Sequence, residues 1–539
     1  MAEPASRRRA AAAVALSALT GATLAGCSVG PEFVSPVPQL AEARGFLDTG
    51  RPVRSPLPVL ARTTTAPPAA EWWRVFHDPL LTRLEARVAD QNLDVRTASL
   101  RLAESRAQLG AAAAAALPTV SGSNQIYREQ FSQNGIISRA TSSLGGSAGG
   151  IGGGLPSNFT QSFSTPYESY SAGFDASWEL DLWGRVRRSI ENAEAQADSS
   201  AEARRDTLVS TLAELARDYV QLRGTQNLIR IDLANVKVNQ EILDVVRIRQ
   251  QKGLVTGLDT ATAASQVESI RAQIPQLQQQ EVQGINAISL LLAEPPLALS
   301  QELTTARAVP PVPPRVPIGV PSGLIMRRPD IRRAEADLHA AVAEIGVAEA
   351  EFFPTVTITG SPQFNALDPG KVFRATSLQY MNVGPSISIP IFDGGRLKSN
   401  LVLQQARQQE AAIAYQKAVL QAWHDVVNGL AALTADEGRR ARLQRQVGDA
   451  RQALALARAR YVQGVEIFTT VLSNSQTVLQ AEVNLSQATA GISTDLVALY
   501  KALGGGWETT FPDRPIPPLR LDEVTIPAED ITPKPIGPP

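Results

Sequence analysis

Ser169-Tyr170-Ser171-Ala172-Gly173-Phe174-Asp175-Ala176-Ser177-Trp178-Glu179-Leu180-Asp181-Leu182 alternates without a slip, with Tyr170, Ala172, Phe174, Ala176, Trp178, Leu180 and Leu182 on one side and serine, glycine and acidic residues on the other. A period of two sends successive side chains to opposite faces of a strand. This segment therefore has one apolar, aromatic face and one polar, acidic face. Immediately after it, Arg185 opens a stretch without proline that reaches Gln251. In that stretch Leu208, Leu212, Leu215, Tyr219, Leu222, Ile229, Leu233, Val236 and Leu243 recur at spacings of three, four or seven, the stripe of a coiled coil. A single helix of that extent is roughly 100 Å long.

The same pair of patterns is written twice. Leu180-Asp181-Leu182-Trp183-Gly184-Arg185 matches Ile391-Phe392-Asp393-Gly394-Gly395-Arg396, and the same offset carries Gly253 onto Gly464 and Leu292 onto Leu503. Upstream, Asp94-Val95-Arg96 through Leu117-Pro118-Thr119-Val120 matches Asp330-Ile331-Arg332 through Phe353-Pro354-Thr355-Val356 at a second constant offset. The offsets differ because the first copy carries an insertion, which holds the Gly-rich run Leu144 to Pro156. Two copies of one long unit make most of the chain, so its length is spent on elongation.

Each copy predicts two strands and a helical hairpin. The strands are Thr119 to Tyr127 and Ser169 to Leu182, then Thr355 to Phe364 and a segment in which Met381, Val383, Pro385, Ile387, Ile389 and Ile391 alternate with Asn382, Gly384, Ser386, Ser388 and Pro390. The outgoing helices are Arg185 to Gln251 and Arg396 to Val462, and the returning ones Asp259 to Leu292 and Thr470 to Leu503. Pro275 predicts a kink or break in the first returning helix. Gly253-Leu254 and Gly464-Val465 form the hairpin turns, where glycine suits a left-handed helix C-terminus. Arg249 and Arg460-Tyr461 precede the turns and either fix their geometry or face a partner.

Composition narrows the function. The formal net charge is −1 with no long run of one sign, which leaves no electrostatic footprint for nucleic acid. Three histidines and one cysteine leave little material for a metal site. His77, His339 and His424 stand in helical or pre-helical runs without a nucleophile motif, so no enzyme and no cofactor is expected. Arg7-Arg8-Arg9 followed by the short apolar run Ala10 to Ala22 reads as an export signal. It ends in Leu24-Ala25-Gly26-Cys27, which resembles the bacterial lipobox and implies lipidation of Cys27; Ser28, by resemblance to lipoprotein sorting, directs the product to the outer membrane.

A strand with two unlike faces fits either a half-buried soluble sheet or a membrane strand with lipid on one side and water on the other. The outer-membrane address selects the second. In a bilayer every backbone donor and acceptor must be paired, so an open sheet is excluded. Four strands are too few to close a barrel, whereas three chains supply about twelve. The expected fold is thus a mixed α/β membrane protein: a trimeric twelve-stranded β-barrel, four strands per chain, continued by a long α-helical coiled-coil tunnel.

Pro321-Ser322-Gly323-Leu324-Ile325-Met326-Arg327-Arg328-Pro329-Asp330-Ile331-Arg332-Arg333-Ala334-Glu335 closely resembles a signature of the TolC-like outer membrane factors, in their NodT-type lipoprotein branch. So do Gly30-Pro31-Glu32-Phe33, Trp73-Arg74-Val75-Phe76-His77-Asp78-Pro79-Leu80 and Glu179-Leu180-Asp181-Leu182-Trp183-Gly184. The resemblance runs from about Cys27 to Trp507. It implies a homotrimer acting as the exit duct of a tripartite efflux system, with a periplasmic adaptor and an inner-membrane pump of the resistance-nodulation-division type as partners. A type I protein secretion channel is the alternative within the family, and a pore-less periplasmic structural lipoprotein the alternative outside it.

By that resemblance the tips Gly253, Leu254, Gly464 and Val465 dock the adaptor, and Asp449, Arg451 and Arg458 near the second tip are candidates for a gate. Asp175, Glu179 and Asp181 line the lumen if Trp178 faces outward, although some of them belong at the junction of barrel and helices. The insertion Ser132 to Pro166 becomes an extracellular loop that either narrows the pore mouth or is only tolerated there. The expected organisation is a signal peptide over 1–26, a lipidated extended tether over 27–70, repeats over 71–309 and 310–507, and a Pro-rich tail over 508–539.

Overall fold

The computed structural model describes residues 28–37, 46, 63–129 and 166–508. The signal segment, Cys27, most of the expected tether, the insertion up to residue 165 and the tail beyond Glu508 lie outside the described residues. In chain order the elements are β1 (Thr63–Thr64), a 3-10 turn (Trp72–Phe76), α1 (Pro79–Gln91), α2 (Leu93–Ala114), β2 (Thr119–Glu129), β3 (Tyr167–Leu180), α3 (Arg185–Gln251) and α4 (Gly257–Leu291). Then come β4 (Val316–Pro317), α5 (Pro321–Arg327), α6 (Pro329–Ala350), β5 (Thr355–Ala366), β6 (Leu378–Ser388), α7 (Arg396–Val462) and α8 (Phe468–Ala502). The repeat is reproduced residue for residue: α3 and α7 each have 67 residues, α4 and α8 each 35. By contact density the chain forms two units.

The first unit comprises residues 28–33, 108–129, 166–194 and 340–408 and holds a four-stranded sheet of order β2-β3-β5-β6, antiparallel throughout. Register puts like with like. Val120, Phe174, Trp178, Ile358, Phe364 and Ile387 share one face, while Ser123, Gly173, Gln363 and the row Glu179, Thr357, Ser386 share the other. One sequence expectation is corrected here. A bulge opposite Thr359 to Ser361 shifts the phase of β6, so that Leu378 and Tyr380 stand across from Phe364 and Pro362, and Met381 is registered with Ser361 instead of continuing the Val383 row. A bulge sets two residues against one and so reverses the alternation beyond it. β6 also ends at Ser388, leaving Ile389 and Ile391 past the strand.

The passage from strand to helix is built by acids. Asp181 accepts the backbone N–H of Val186 and Arg187 at 3.1 and 2.9 Å, and Asp393 accepts those of Gly395 and Leu397 at 2.9 and 2.8 Å. Each satisfies orphan donors of a helix start. Residues 28–33 are not a free tether: Val29 N–H donates to the Trp183 carbonyl at 3.0 Å. Gly30, at φ +97°, lies so close to Gly346 that a Cβ on it would stand 2.5 Å from the Gly346 Cα.

The second unit comprises residues 34–37, 46, 63–107, 195–339 and 409–508, with two hydrophobic cores among the described residues. The larger gathers Trp72, Trp73, Phe76, Leu208, Leu212 and Tyr500, all buried; Trp72 stacks on Tyr500 at 5.4 Å. Asp78 caps α1 through the N–H groups of Leu80 and Leu81 and accepts the Tyr219 hydroxyl at 2.6 Å. Burial and that bond push the Tyr219 hydroxyl up to about 12.

Two expectations for this unit are corrected in part. The apolar stripe of α3 holds through Leu222 and is met again at Leu243, but between them Ile229 and Val236 are only half-buried, Leu233 is exposed, and the buried positions pass to Ile231, Asn235 and Asn239. Of the kink or break expected at Pro275, the break is absent: α4 is continuous from Gly257 to Leu291.

Candidate functional site: the sheet faces and the hairpin tips

Large hydrophobic side chains are normally withdrawn from water. On this sheet Val120, Ile126, Phe174, Tyr380 and Ile387 are each more than 60 % exposed. With Ile358 and Phe364 of β5 they give a mainly apolar face that reaches all four strands, as a lipid-facing surface requires. Among the described residues no helix is long and apolar enough to cross a membrane. Both edge strands, β2 and β6, carry one unpaired side.

The acids expected on the polar face divide into two kinds. Asp175 is exposed within the strand and accepts the Ser123 hydroxyl at 3.2 Å. Glu179 holds Arg185 in a two-pronged pair at 2.9 and 2.6 Å, and Asp181 caps α3 while pairing with Arg187 at 3.2 Å. Glu179 and Asp181 are therefore engaged in the strand-to-helix junction.

Both hairpin turns close with the same pair of bonds. Gly253 N–H donates to Gln250 O and Leu254 N–H to Arg249 O; Gly464 N–H donates to Tyr461 O and Val465 N–H to Arg460 O. This is the double closure of a Schellman motif. Gly253 and Gly464 have φ of +72° and +81°, a region costly for any residue with a Cβ. Because the position that normally buries the residue after the glycine is an arginine in both hairpins, Leu254 and Val465 remain 62 % and 63 % exposed.

The structure separates the two arginines before the turns. Arg249 reaches across to the other hairpin, donating to the carbonyls of Tyr461 and Val462 with its guanidinium 4.5 Å from the Tyr461 ring centre. It fixes how the tips meet. Arg460 pairs locally with Glu466 at 3.6 Å.

The gate candidates do not pair with one another. Arg451 donates twice to Glu482 Oε1 at 2.9 and 2.6 Å, and Asn235 donates to the other oxygen at 2.9 Å. Arg458 pairs with Glu241 at 3.4 Å. Asp449 is exposed and lines a groove with Arg442 and Arg445. The acidic halves, Glu482 and Glu241, carry no sequence mark because each meets its arginine only after the helices pack.

The signature run is structural. Arg328 grips Asp330 at 2.9 and 2.6 Å, Asp425 at 3.1 Å and the Ala502 carbonyl at 3.0 Å, while Arg327 pairs with Glu508 and accepts the Trp507 indole N–H on its carbonyl. It locks α6, α7 and the end of α8 together. Among the described residues no cluster of three or more metal-ligating side chains occurs.

The profile of the outer membrane efflux protein family matches residues 86–294 and 320–505, the two repeats. The chain is 31 % identical over 506 residues to the toluene efflux pump outer membrane protein TtgC of Pseudomonas putida, covering 91 % of this chain and 95 % of that one. It is 30 % identical over 487 residues to nodulation protein T of Rhizobium leguminosarum bv. viciae, covering 90 % and 92 %. Among solved structures, the outer-membrane channel OprN matches with a TM-score of 0.76 at 30 % identity, over 89 % of this chain and all of that one. The open state of the Neisseria gonorrhoeae MtrE channel matches at 0.71 and 27 %, over 89 % and 98 %. Sequence profile, relatives and solved channels coincide on the same two repeats, and the chain belongs to the outer membrane efflux protein family.

Proposed function

We propose that three copies of this chain close one barrel and act as the outer membrane exit duct of a tripartite efflux system, passing small molecules received from an inner-membrane pump through a periplasmic adaptor. The observation that carries this reading is the sheet: four strands with one mainly apolar face that exposes large hydrophobic side chains, one polar face and two edges unpaired among the described residues. In hydrocarbon each unpaired backbone group costs several kcal/mol. Pairing β6 of one copy with β2 of the next removes every edge. Toluene efflux by the Pseudomonas putida relative, and pyoverdine export by a Pseudomonas aeruginosa relative 30 % identical over 445 residues, support transport of small organic molecules.

In this reading Cys27 carries lipid beside a segment already held at Val29 and Gly30. Exposed Leu254 and Val465, set by Gly253 and Gly464, offer the adaptor an apolar grip. Asp175 faces the aqueous lumen. Arg451 with Glu482 and Arg458 with Glu241 hold the hairpins closed, and Asp449 lies beside them.

The test is conductance of the lipidated protein in a planar bilayer, with its oligomeric mass in the same detergent. Discrete channel events from a trimer are expected, with longer openings for Arg451→Ala and Arg458→Ala. A monomer that stays silent under conditions where a known porin inserts, in both variants as well as the parent, would overturn the duct.

A further inference from the structure

Every helix that meets the sheet joins it at the same end of its strands: α2 leads into Thr119, Leu180 into α3, α6 into Thr355 and Ser388 into α7. At the opposite end β5 turns into β6 through a short connection that is firmly built. Asp368 accepts the N–H of Gly370 at 3.0 Å and pairs with Lys371 at 3.0 Å, and the Ser377 hydroxyl donates to the Lys371 carbonyl at 2.8 Å. Two 3-10 turns, Pro369–Lys371 and Ala375–Ser377, complete it. A loop that covered a pore mouth would lean toward the polar face of the sheet. This one leans the other way: the Phe373 ring lies 5.8 Å from the ring of Phe364 on the apolar face, yet Phe373 remains 78 % exposed. A large aromatic side chain held out of the core by an ordered turn is suited to an apolar medium outside the protein.

The same rim carries unspent positive charge. On β2, Arg128 stands opposite Glu168, two residues beyond the pair Ile126 and Tyr170, and so shares their face. Arg128 and Arg374 are both exposed, and among the described residues neither guanidinium has a hydrogen-bond or ion-pair partner. The carboxylates nearby are engaged, Glu168 by the Tyr170 hydroxyl at 2.7 Å and Asp368 by Lys371. From the middle of the strands outward, the face therefore passes from apolar residues to aromatic ones and then to free arginines. A bilayer presents hydrocarbon, interface and charged headgroup in that order.

We propose that this rim seats a phosphorylated glycolipid of the outer leaflet, with Phe373 among its acyl chains and Arg374 and Arg128 on its phosphate. A guanidinium offers phosphate two parallel hydrogen bonds, and Phe373 holds the loop at the depth where Arg374 can make them. Lys371, already neutralised by Asp368, adds little. The seat rests on the trimeric barrel in the outer membrane and names a lipid that the barrel meets there.

Cys27 is the chain's one cysteine, and lipidation takes up its thiol, so a thiol-reactive fluorophore on Phe373→Cys reports that position alone. In vesicles containing bis-phosphorylated lipid A, the label should emit as in an apolar medium and be quenched by lipids brominated on their acyl chains. Phe174→Cys, mid-strand on the same face, is the control. Apolar emission at 174 with aqueous, unquenched emission at 373 overturns the seat and leaves the barrel standing. Aqueous emission at 174 overturns the membrane reading and the seat with it. In detergent, native mass spectrometry of the full lipidated chain should show lipid A bound about tenfold more tightly than its dephosphorylated form. Arg128→Ala with Arg374→Ala should remove that preference and leave the dephosphorylated lipid unaffected. Equal binding of the two lipids by the parent, or a preference kept by the double variant, overturns the phosphate contact. Displacement of lipid A by inorganic phosphate would mark a site for free anions and overturn the lipid seat.

Discussion

Hairpin α3–α4 and hairpin α7–α8 close with the same two turn bonds around a left-handed glycine and run for the same number of residues, yet their surfaces have gone separate ways. Along α3 the flank toward α7 and α8 presents Asn227, Ala234, Asn235 and Asn239, small or amide groups that pack or hydrogen-bond within the chain. Along α7 the corresponding flank carries arginines and Asp449. Backbone geometry is held by a few residues with strict conformational demands, the turn glycines and the caps. The remaining positions are free to take on whatever each hairpin faces. A duplicated unit therefore keeps its shape while its two copies acquire different neighbours.

The comparison breaks most sharply where one copy carries a core residue the other lacks. Tyr500 is 1 % exposed and stacks on Trp72, whereas its counterpart Ser289 is buried and bonds only to the Ile285 carbonyl one turn back. Tyr500→Ala should destabilise the second unit by about 3–5 kcal/mol, the usual cost of emptying a buried aromatic site; Ser289→Ala should cost less than about 1 kcal/mol. Tyr500→Phe should be close to neutral, because the buried hydroxyl has no hydrogen-bond partner among the described residues. Loss of helical circular dichroism on heating in detergent measures all three. Equal effects of Tyr500→Ala and Ser289→Ala would mean that the larger core does not depend on the stacked pair.

The tips give the next effect. Arg249 bridges to Tyr461 through its carbonyl and ring, while Arg460, in the same place on the other hairpin, meets only the partly exposed Glu466. Arg249→Ala should speed hydrogen exchange at the α7 C-terminus by an amount equivalent to about 1–3 kcal/mol, for a charge-assisted bond plus a cation–π contact. Arg460→Ala should change it by less than about 1 kcal/mol. Gly253→Ala and Gly464→Ala should cost about 1 kcal/mol each, and equally, since both glycines serve the same turn. Unequal costs there would show that the hairpins differ in backbone as well as in surface.

Much of this fold is legible in the sequence because its determinants are local. An uninterrupted run without proline ending at a glycine gave Arg185–Gln251 and Arg396–Val462 as helices with those bounds, and strict alternation gave β3 its two faces. What escaped depends on partners distant in the chain. Leu233 fits the spacing of the stripe, but past Leu222 α8 presents polar groups, the Glu482 carboxylate that accepts from Asn235 and the Ser475 hydroxyl that donates to Asn239, so Asn235 and Asn239 are buried and Leu233 is not. The bulge in β6 is a property of the pair β5–β6 and leaves no mark on β6 alone. Of the candidate site, the turn glycines were legible for the same local reason. Glu482 and Glu241 were not, because nothing beside them in sequence distinguishes them from other surface acids.

The smallest expected effect sharpens the comparison by pH. In the second hairpin burial, with the negative charge of Asp436 of α7 beside it, raises Asp495 of α8 to about 6; the counterparts in the first hairpin are Gly284 and Thr225, which do not titrate. Because the folded value lies above the ordinary 3.8, the folded chain binds the extra proton between about pH 4 and pH 6, and stability falls as pH rises through that window. Asp495 is only partly buried, so solvent screening keeps the loss below about 1 kcal/mol. Amide exchange around Asp436 and Asp495, corrected for its intrinsic pH dependence, should therefore quicken between pH 4.5 and 7 on the order of a few-fold, while amides around Thr225 and Gly284 stay unchanged. Asp495→Asn should abolish the difference. If both hairpins respond alike, or if the variant keeps the parent's pH dependence, the carboxyl pair is not what distinguishes them.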